Sequence, residues 1–301
     1  FGHCRQAFYQ QKERIDGRIK NETPILEFVQ NIRSADPGIG QYKLWLMGLG
    51  IFGKSMMGRD AFYKFLEREG YKLKRPKPRH TTNSNHRYHK YKNLIKEFTP
   101  LAPNQLWVND ITYIPLSGGK SCYLHLVTDA YSHKIIGWCL SDSLEAKNTL
   151  EALQMAIKQA ENCDLSHLIH HSDRGVQYCC NMYIEALESI GAQISMTEDS
   201  KPTDNGIAER VNGTIKTEKI YRQQPYENIE EARQDISEFI DFYNEKRPHM
   251  SIGYQTPSKA HQQTGPQEKK WKGWTPKPSS EAAAAASEDP SSTKSDNCQQ
   301  N

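Results

Sequence analysis

Three acidic residues stand where carboxylates could hold a metal ion. Asp110 interrupts a run of β-branched and aromatic residues, Asp173 ends a second predicted strand, and Glu209 lies in a helical pattern. An aspartate in the middle of a strand has poor β-propensity and needs a partner that offsets its burial. Carboxylate oxygens are the ligands that Mg²⁺ and Mn²⁺ prefer. The set therefore indicates a site for one or two divalent ions, and two ions about 3.5–4 Å apart support phosphodiester chemistry.

The same residues also have simpler interpretations. A helical glutamate such as Glu209 is usually solvated, and Asp173 before Arg174-Gly175 could be a turn or cap residue. His170 and His171 invite a metal-ligand interpretation, but neighbours on a strand point to opposite faces, so at most one could reach the site. We expect one histidine to pack in the core and the other to contact a metal ligand rather than the metal.

The helical pattern around Glu209 separates a core face from a second face. Ile207, Val211 and Ile215 are four residues apart and form the predicted buried stripe. At ~100° per residue Glu209 falls on the opposite side, and Lys216 returns to within ~20° of Glu209. Glu209 and Lys216 are therefore expected to share a face that does not point into the core.

The elements that must position these carboxylates form a mixed sheet. Short β-branched and aromatic runs predict antiparallel strands at 106–113, 122–129 and 134–140, with further strands at 165–171 and 192–196. Helical patterns occur at 146–162, 176–190, about 205–221 and 228–244. The order βββαβαβαα predicts an α/β fold with a five-stranded mixed sheet flanked by helices.

Upstream of the sheet the chain predicts a small helical module. Helical patterns occur at about 23–34, 41–49 and 55–69, and the last has an apolar stripe of Phe62, Phe65 and Leu66. Its basic residues Arg59, Lys64 and Arg68 lie off that stripe. Three short helices with a basic final helix favour a helix-turn-helix-like module that enters a DNA major groove, although any small helical bundle would show a similar pattern.

Positive charge is concentrated between this module and the sheet. The whole chain has a formal net charge of +3, but from Lys54 to Lys96 thirteen lysines and arginines stand against three acidic residues, a local balance of +10. The most basic stretch contains Lys74, Arg75, Lys77 and Arg79. Cations interleaved with tyrosine and histidine suit a phosphate backbone, while the alternative is a solvated linker.

Composition places the chain among globular proteins with very polar parts. No run of about 18 apolar residues exists, which argues against a membrane span. Seven scattered cysteines without a C-x-x-C pair favour reduced thiols and a cytoplasmic protein. We expect a helical DNA-binding domain at 1–70, a basic linker at 71–103, a catalytic core at 104–262 and a disordered tail at 263–301.

Several motifs in this order resemble the DDE transposases with a retroviral-integrase core. The resemblance rests on the segments around Asp110 and Asp173, on Asp204-Asn205 before Glu209, and on Lys216. Thirty-five residues separate Asp173 from Glu209, the D(35)E interval of that family. It is closest to the OrfB product of bacterial insertion sequences of the IS-three type, and extends over about 104–260 to include Arg247-Pro248-His249 and Tyr254-Gln255-Thr256-Pro257.

The resemblance implies an RNase H-like core in which Asp110, Asp173 and Glu209 are the catalytic triad and bind two Mg²⁺ or Mn²⁺ ions. Lys216 would contact terminal DNA near the active site. The implied reaction is hydrolysis that frees a 3′-OH at an element end, followed by attack of that 3′-OH on another phosphodiester. Implied partners are terminal inverted repeats, target DNA, further copies of the chain and an upstream-frame protein, with no membrane.

Two departures from the family pattern leave the triad intact. Ser200-Lys201-Pro202-Thr203 replaces a usual Gly-rich approach, and Cys179-Cys180 replaces small polar residues. His3 and Cys4 have no second cysteine pair nearby, so we expect no zinc module. The leading interpretation is a DNA transposase, and the alternatives are a structure-specific nuclease on the same fold or an inactive DNA-binding regulator derived from a transposase.

Overall fold

The computed structural model describes residues 5–73, 91–198 and 205–267. Three helices come first: α1 (Arg5–Ala35), α2 (Gln41–Phe52) and α3 (Arg59–Arg68). The predicted start of α1 at Thr23 is wrong. The helix begins at Arg5 and contains Pro24 in its interior. The predicted third helix is also shorter at its start, because Met56 has an extended backbone conformation that separates the 3₁₀ turn Gly53–Ser55 from α3.

A five-stranded mixed sheet forms the centre of the molecule, as the sequence predicts. Its strands are β1 (Leu106–Pro115), β2 (Ser121–Asp129), β3 (Ile135–Ser141), β4 (Ile169–Ser172) and β5 (Gln193–Met196). The order in the sheet is β3-β2-β1-β4-β5. The pairs β1–β2 and β2–β3 are antiparallel, and β1–β4 and β4–β5 are parallel. This arrangement fits an RNase H-like α/β fold.

Helices cover both faces of this sheet. They are α4 (Ala146–Gln159), α5 (Val176–Cys179), α6 (Asn181–Ser189), α7 (Gly206–Thr214), α8 (Ile229–Glu245) and α9 (Pro257–Ala260). Trp107 points into an apolar cluster with residues of α4 and α6. Successive side chains of a strand point to opposite faces, so Leu106 and Val108, the neighbours of Trp107, pack on the other face against Ala208 of α7. Asp110 shares this second face, which places its carboxylate under α7.

Two predicted helices are interrupted. Cys180 has φ −76° and ψ 146°, an extended conformation that separates α5 from α6 within the predicted helix 176–190. The predicted helix 205–221 is α7 followed by a π-helical turn, Ile215–Lys219, and a 3₁₀ turn, Ile220–Arg222. The strand predicted from Leu165 begins only at Ile169. Helix α8 begins as expected, because the Asn228 side chain accepts the N–H of Glu231.

Helices α1–α3 pack against α8, which flanks the sheet. Phe242 of α8 belongs to the same apolar cluster as Val29 of α1, Leu44 of α2 and Phe62 of α3. The predicted stripe of α3 is present, since Phe62, Phe65 and Leu66 are all buried. The N-terminal helices and α8 therefore share one apolar core.

Some sequence predictions concern residues outside the described ranges. They include the basic residues Lys74, Arg75, Lys77 and Arg79, the 200–203 segment, His3 with Cys4, and most of the 263–301 tail. Among the helices of the described ranges, none is both long and apolar enough to cross a membrane.

Candidate active site

Asp110 is held in place on β1 by two hydrogen bonds. Its Oδ1 accepts the N–H of Ile111 at 2.8 Å, and its Oδ2 accepts Nδ2 of Asn212 at 2.7 Å. Asn212 lies on α7, 102 residues away in sequence. The carboxylate therefore has a fixed orientation between the strand and the helix, which is what a metal ligand requires.

Asp173 follows the last residue of β4. Val108 of β1 pairs with His171 of β4, so the end of β4 lies beside the middle of β1. Asp173 Oδ1 accepts the N–H of Gly175 at 2.9 Å. A Cβ at Gly175 would stand 3.0 Å from that oxygen, so a side chain there would crowd the carboxylate.

Glu209 lies in the first turn of α7 and is the most exposed of the three acidic residues. Two asparagines fix this helix on β1. Asn205, which precedes the helix, donates from Nδ2 to the Asn109 carbonyl at 2.9 Å, and Asn212 donates to Asp110. They are seven residues apart and thus share a helix face. The expected stripe is present, with Val211 and Ile215 buried and Ile207 partly buried.

The electrostatics link Asp110 to the charges of Asp173, Glu209 and Lys216. Burial, then the charge of Asp173 and more weakly that of Glu209, raise the pKa of Asp110 to about 7, against the opposing hydrogen bonds from Ile111 and Asn212. Burial also raises the pKa of Glu209. Burial lowers the pKa of Lys216, while the charge of Asp110 acts in the opposite direction. Lys216 is therefore close enough to the acidic site to respond to its charge.

The chemistry of these residues fits a hard divalent cation. Their donors are carboxylate oxygens, and the raised pKa of Asp110 marks negative charge that the protein leaves uncompensated. Oδ1 of Asn205 and Oδ1 of Asn212 are buried acceptors without a donor among the described residues, and a hydrated cation would supply donors to such atoms. Within those same ranges, no three His, Cys, Asp or Glu side chains stand close enough to hold one ion between them.

The two adjacent histidines are both buried, on opposite faces of β4. Nε2 of His170 is 2.8 Å from the Tyr183 hydroxyl, which also accepts Nδ2 of Asn109 at 2.9 Å. Burial lowers the pKa of His170 to about 3, so this imidazole is neutral. Nδ1 of His171 is 2.8 Å from the Ser195 hydroxyl on β5. His170 is thus the packed histidine that the sequence analysis expects.

Several residues of the site were missed by the sequence analysis. Asn205 and Asn212 orient α7, and the buried Tyr178 has its pKa raised by burial together with the charges of Asp173 and Asp110. The Tyr178 hydroxyl has no hydrogen-bond partner among the described residues. A sequence signal existed for the asparagines, because two amides seven residues apart flank Glu209 on one helix face. Tyr178 had no such signal.

The basic residues predicted to bind DNA lie on separate elements. Lys216 is half-buried in the π-helical turn after α7. Arg59, Lys64 and Arg68 are exposed on α3, away from its apolar stripe. Arg59 pairs with Asp60 at 3.0 Å and Arg68 pairs with Glu69 at 2.8 Å. Exposed pairs of this kind contribute little to stability.

Comparison with known proteins gives one consistent result. Two models of the integrase core domain match the chain, one over residues 100–202 and the other over 190–257. A Mycobacterium tuberculosis protein named as a transposase for insertion sequence element IS986/IS6110 is 32% identical over 252 residues, 80% of this chain and 86% of the relative. The transposase for insertion sequence element IS904 of Lactococcus lactis is 34% identical over 215 residues, 69% and 74% of the two chains. The HTLV-2 integrase catalytic core domain in complex with magnesium has a TM-score of 0.43 and 20% identity, covering 54% of this chain and 99% of that one.

Proposed function

Because the chain belongs to the family of insertion-sequence transposases with an integrase core domain, we propose that its acidic site cuts the ends of an insertion sequence and joins them to target DNA. The chain is a polynucleotidyl transferase of the DDE type, and its reaction is DNA cleavage followed by strand transfer. The observation that supports assigning the reaction to this site is that the charges of Asp173 and, more weakly, Glu209 both raise the pKa of the buried Asp110 carboxylate.

We assign the binding of Mg²⁺ or Mn²⁺ to these three carboxylates, with two ions in the complete site. Bound ions of this kind activate an attacking oxygen and stabilise a leaving oxygen in phosphodiester chemistry. The chain's own contribution is orientation. Asn212 and the Ile111 N–H aim the Asp110 carboxylate, the Gly175 N–H aims Asp173, and the Asn205 side chain holds the start of α7 on β1.

We assign DNA binding to basic residues in two places. Lys216 is beside the acidic site and would hold a phosphate of the element end there, as a single mobile positive charge. The exposed face of α3, with Arg59, Lys64 and Arg68, and the segment with Lys74, Arg75, Lys77 and Arg79 would bind DNA further from the chemistry. Terminal repeats and target DNA are the substrates, two ends require more than one copy of the chain, and an upstream-frame protein is a further partner.

Neutral amide substitutions in the triad test the assignment. Asp110→Asn, Asp173→Asn and Glu209→Gln keep the side-chain shape but remove the charge that holds the ions. We expect metal-dependent nicking and joining of element-end DNA to fall by at least about 100-fold, since even residues that only support metal ligands cost 10–100-fold. End binding without metal should remain.

Glu238→Gln is the matched control, because Glu238 is an exposed glutamate of α8. This variant should cleave and join DNA as the wild type does. Robust strand transfer by a triad variant would remove that residue from the metal site. Cleavage without any joined product would instead favour the nuclease alternative.

A further inference from the structure

The Arg247-Pro248-His249 segment has no place in the acidic site, yet its arginine is buried at 3% exposure. Arg247 donates from Nε and Nη2 to the two carboxylate oxygens of Glu218, at 2.6 and 2.7 Å. Its Nη1 lies 2.8 Å from Nε2 of His249, and its guanidinium stands over the Tyr243 ring at 5.5 Å. The attraction within a buried ion pair offsets the cost of removing both charges from water only when the hydrogen bonding is this complete. Removing one partner leaves the other charge buried and unpaired.

Glu218 belongs to the π-helical turn that also carries Lys216. Burial disfavours the Glu218 carboxylate, but its hydrogen bonds to Arg247 and the charges of Arg247 and Lys43 outweigh that effect and lower its pKa to about 2. One residue further, the buried Lys219 pairs with Asp235 of α8 at 2.7 Å. π-Helical turns are rare and are frequently found at functional sites. Here the turn is bound to Asp235 of α8 and to Arg247, which follows that helix.

The loop between α1 and α2 docks on the same turn. Asp36 is fully buried 3.9 Å from Nε of Arg247, and Nζ of Lys43 lies 3.4 Å from Glu218. Gly38 lies directly against the Glu218 backbone, because a Cβ at Gly38 would stand 2.2 Å from the Glu218 Cα. The N-terminal helices thus contact the π-helical turn through backbone packing as well as through charge.

We propose that Gly38, Lys43 and Arg247 are positioning residues that hold the π-helical turn, so that Lys216 reaches the acidic site only while α1–α3 are docked. The proposal rests on the proposed function and adds a coupling to it. Helices assigned to DNA binding and the residue assigned to the DNA end are linked through one buried ionic network. A displacement of the N-terminal helices would move the turn, and with it Lys216, away from Asp110.

The same Gly→Ala change at two positions of one loop tests this coupling in the full chain. Gly38→Ala should displace the loop from Glu218, whereas Gly40→Ala meets nothing within 4 Å. We expect Gly38→Ala to lower the single-turnover rate of end cleavage about 10- to 100-fold, because small misplacements far from the chemistry have effects of that size. The Tm of Gly38→Ala should fall below that of Gly40→Ala, because the new Cβ crowds the Glu218 backbone. The Kd for end DNA should stay near that of Gly40→Ala.

A double-mutant cycle distinguishes positioning from a general structural effect. If Gly38 acts through the turn, adding Lys216→Ala to Gly38→Ala should cost much less than Lys216→Ala alone costs the wild type. Lys43→Met removes the Lys43–Glu218 pair without changing the backbone. In this background too, adding Lys216→Ala should cost much less than it costs the wild type, and this test stands even if Gly38→Ala does not fold.

The coupling would be overturned if the rate losses of the single variants multiplied in the double variant. It would also be overturned if both Gly38→Ala and Lys43→Met cleaved at the wild-type rate. Absence of cleavage by the wild type would instead count against the proposed function itself.

Discussion

At the scale of one residue, the buried carboxylate of Asp110 makes the stability of the metal-free protein depend on pH. Its pKa is raised from the ordinary value of about 3.9 to about 7, first by burial and then by Asp173. Because the folded-state pKa is above the unfolded one, the stabilising protonated form is fully present below about pH 4. That stability is lost as the pH rises through about 7. The buried Asp110 carboxylate thus opposes folding at neutral pH while no cation offsets its charge.

Asp110→Asn should therefore stabilise the metal-free protein at pH 8. We expect a gain of about 2 kcal/mol in the free energy of unfolding, shrinking towards zero near pH 4. The amide can be accommodated, since Asn212 Oδ1 has no donor among the described residues and a flipped Asn212 amide could accept from the new side chain. The measurement is denaturant unfolding at pH 5 and pH 8 with a chelator.

Added Mg²⁺ should reverse the order of the two proteins, because only the wild type gains the binding energy of the ion. Asp241→Asn, an exposed aspartate on α8, is the control and should show neither effect. A metal-free Asp110→Asn protein less stable than the wild type at pH 8 would contradict this explanation.

At the scale of elements, the contact between β3 and α4 depends on a missing side chain. Gly137 of β3 faces the α4 backbone so closely that a Cβ would stand 2.1 Å from the carbonyl oxygen of Ala152 and 3.0 Å from the N of Ala156. Ala152 and Ala156 are themselves small and buried. This helix can lie on the sheet only because both partners lack bulk at the contact.

Gly137→Ala should destabilise the fold by about 1–3 kcal/mol, the usual cost of overpacking a core. Gly213→Ala is the matched control, because Gly213 lies within α7 and a Cβ there meets nothing within 4 Å. That change should stabilise by about 0.5–1 kcal/mol through the better helix propensity of alanine. Denaturant unfolding of both variants measures the difference, and equal stabilities would show that β3 and α4 can separate freely.

At the scale of the whole molecule, positive charge is concentrated in one stretch of the sequence. The local excess of +10 lies between Lys54 and Lys96, whereas Asp110, Asp173 and Glu209 come later in the chain. Several of these cations are paired on the surface, among them Lys72 with Glu67 at 2.6 Å. Pairs this exposed contribute little to stability. DNA affinity should therefore come mainly from the N-terminal third of the chain.

The salt dependence of DNA binding tests this division. If about half of the local cations contact phosphates, the logarithm of the affinity should fall with the logarithm of salt concentration at a slope of roughly −6. Removal of residues 1–98 should abolish most of the affinity, whereas Asp110→Asn should leave the slope unchanged. A flat salt response in the full chain would show that α3 and the basic segment do not bind DNA.

The amino-acid sequence by itself predicted the five strands and a mixed sheet, and it singled out the three acidic residues as candidates. β-Branched and aromatic runs are local properties, so they predict where strands lie, whereas the order β3-β2-β1-β4-β5 came from the structure. The spacing of Ile207, Val211 and Ile215 likewise predicted which side of α7 is buried. These signals depend only on residues close together in the chain.

Only the tertiary structure decided how these elements meet. The Asn212–Asp110 hydrogen bond joins residues 102 apart, and the Arg247–Glu218 pair joins residues 29 apart. The raised pKa of Asp110 and the approach of Gly38 to Glu218 depend on burial that no local pattern encodes. The π-helical turn exists where α8 and the α1–α2 loop both bind it. Its position follows from packing across the whole molecule, because helical periodicity alone would have continued α7 without a break.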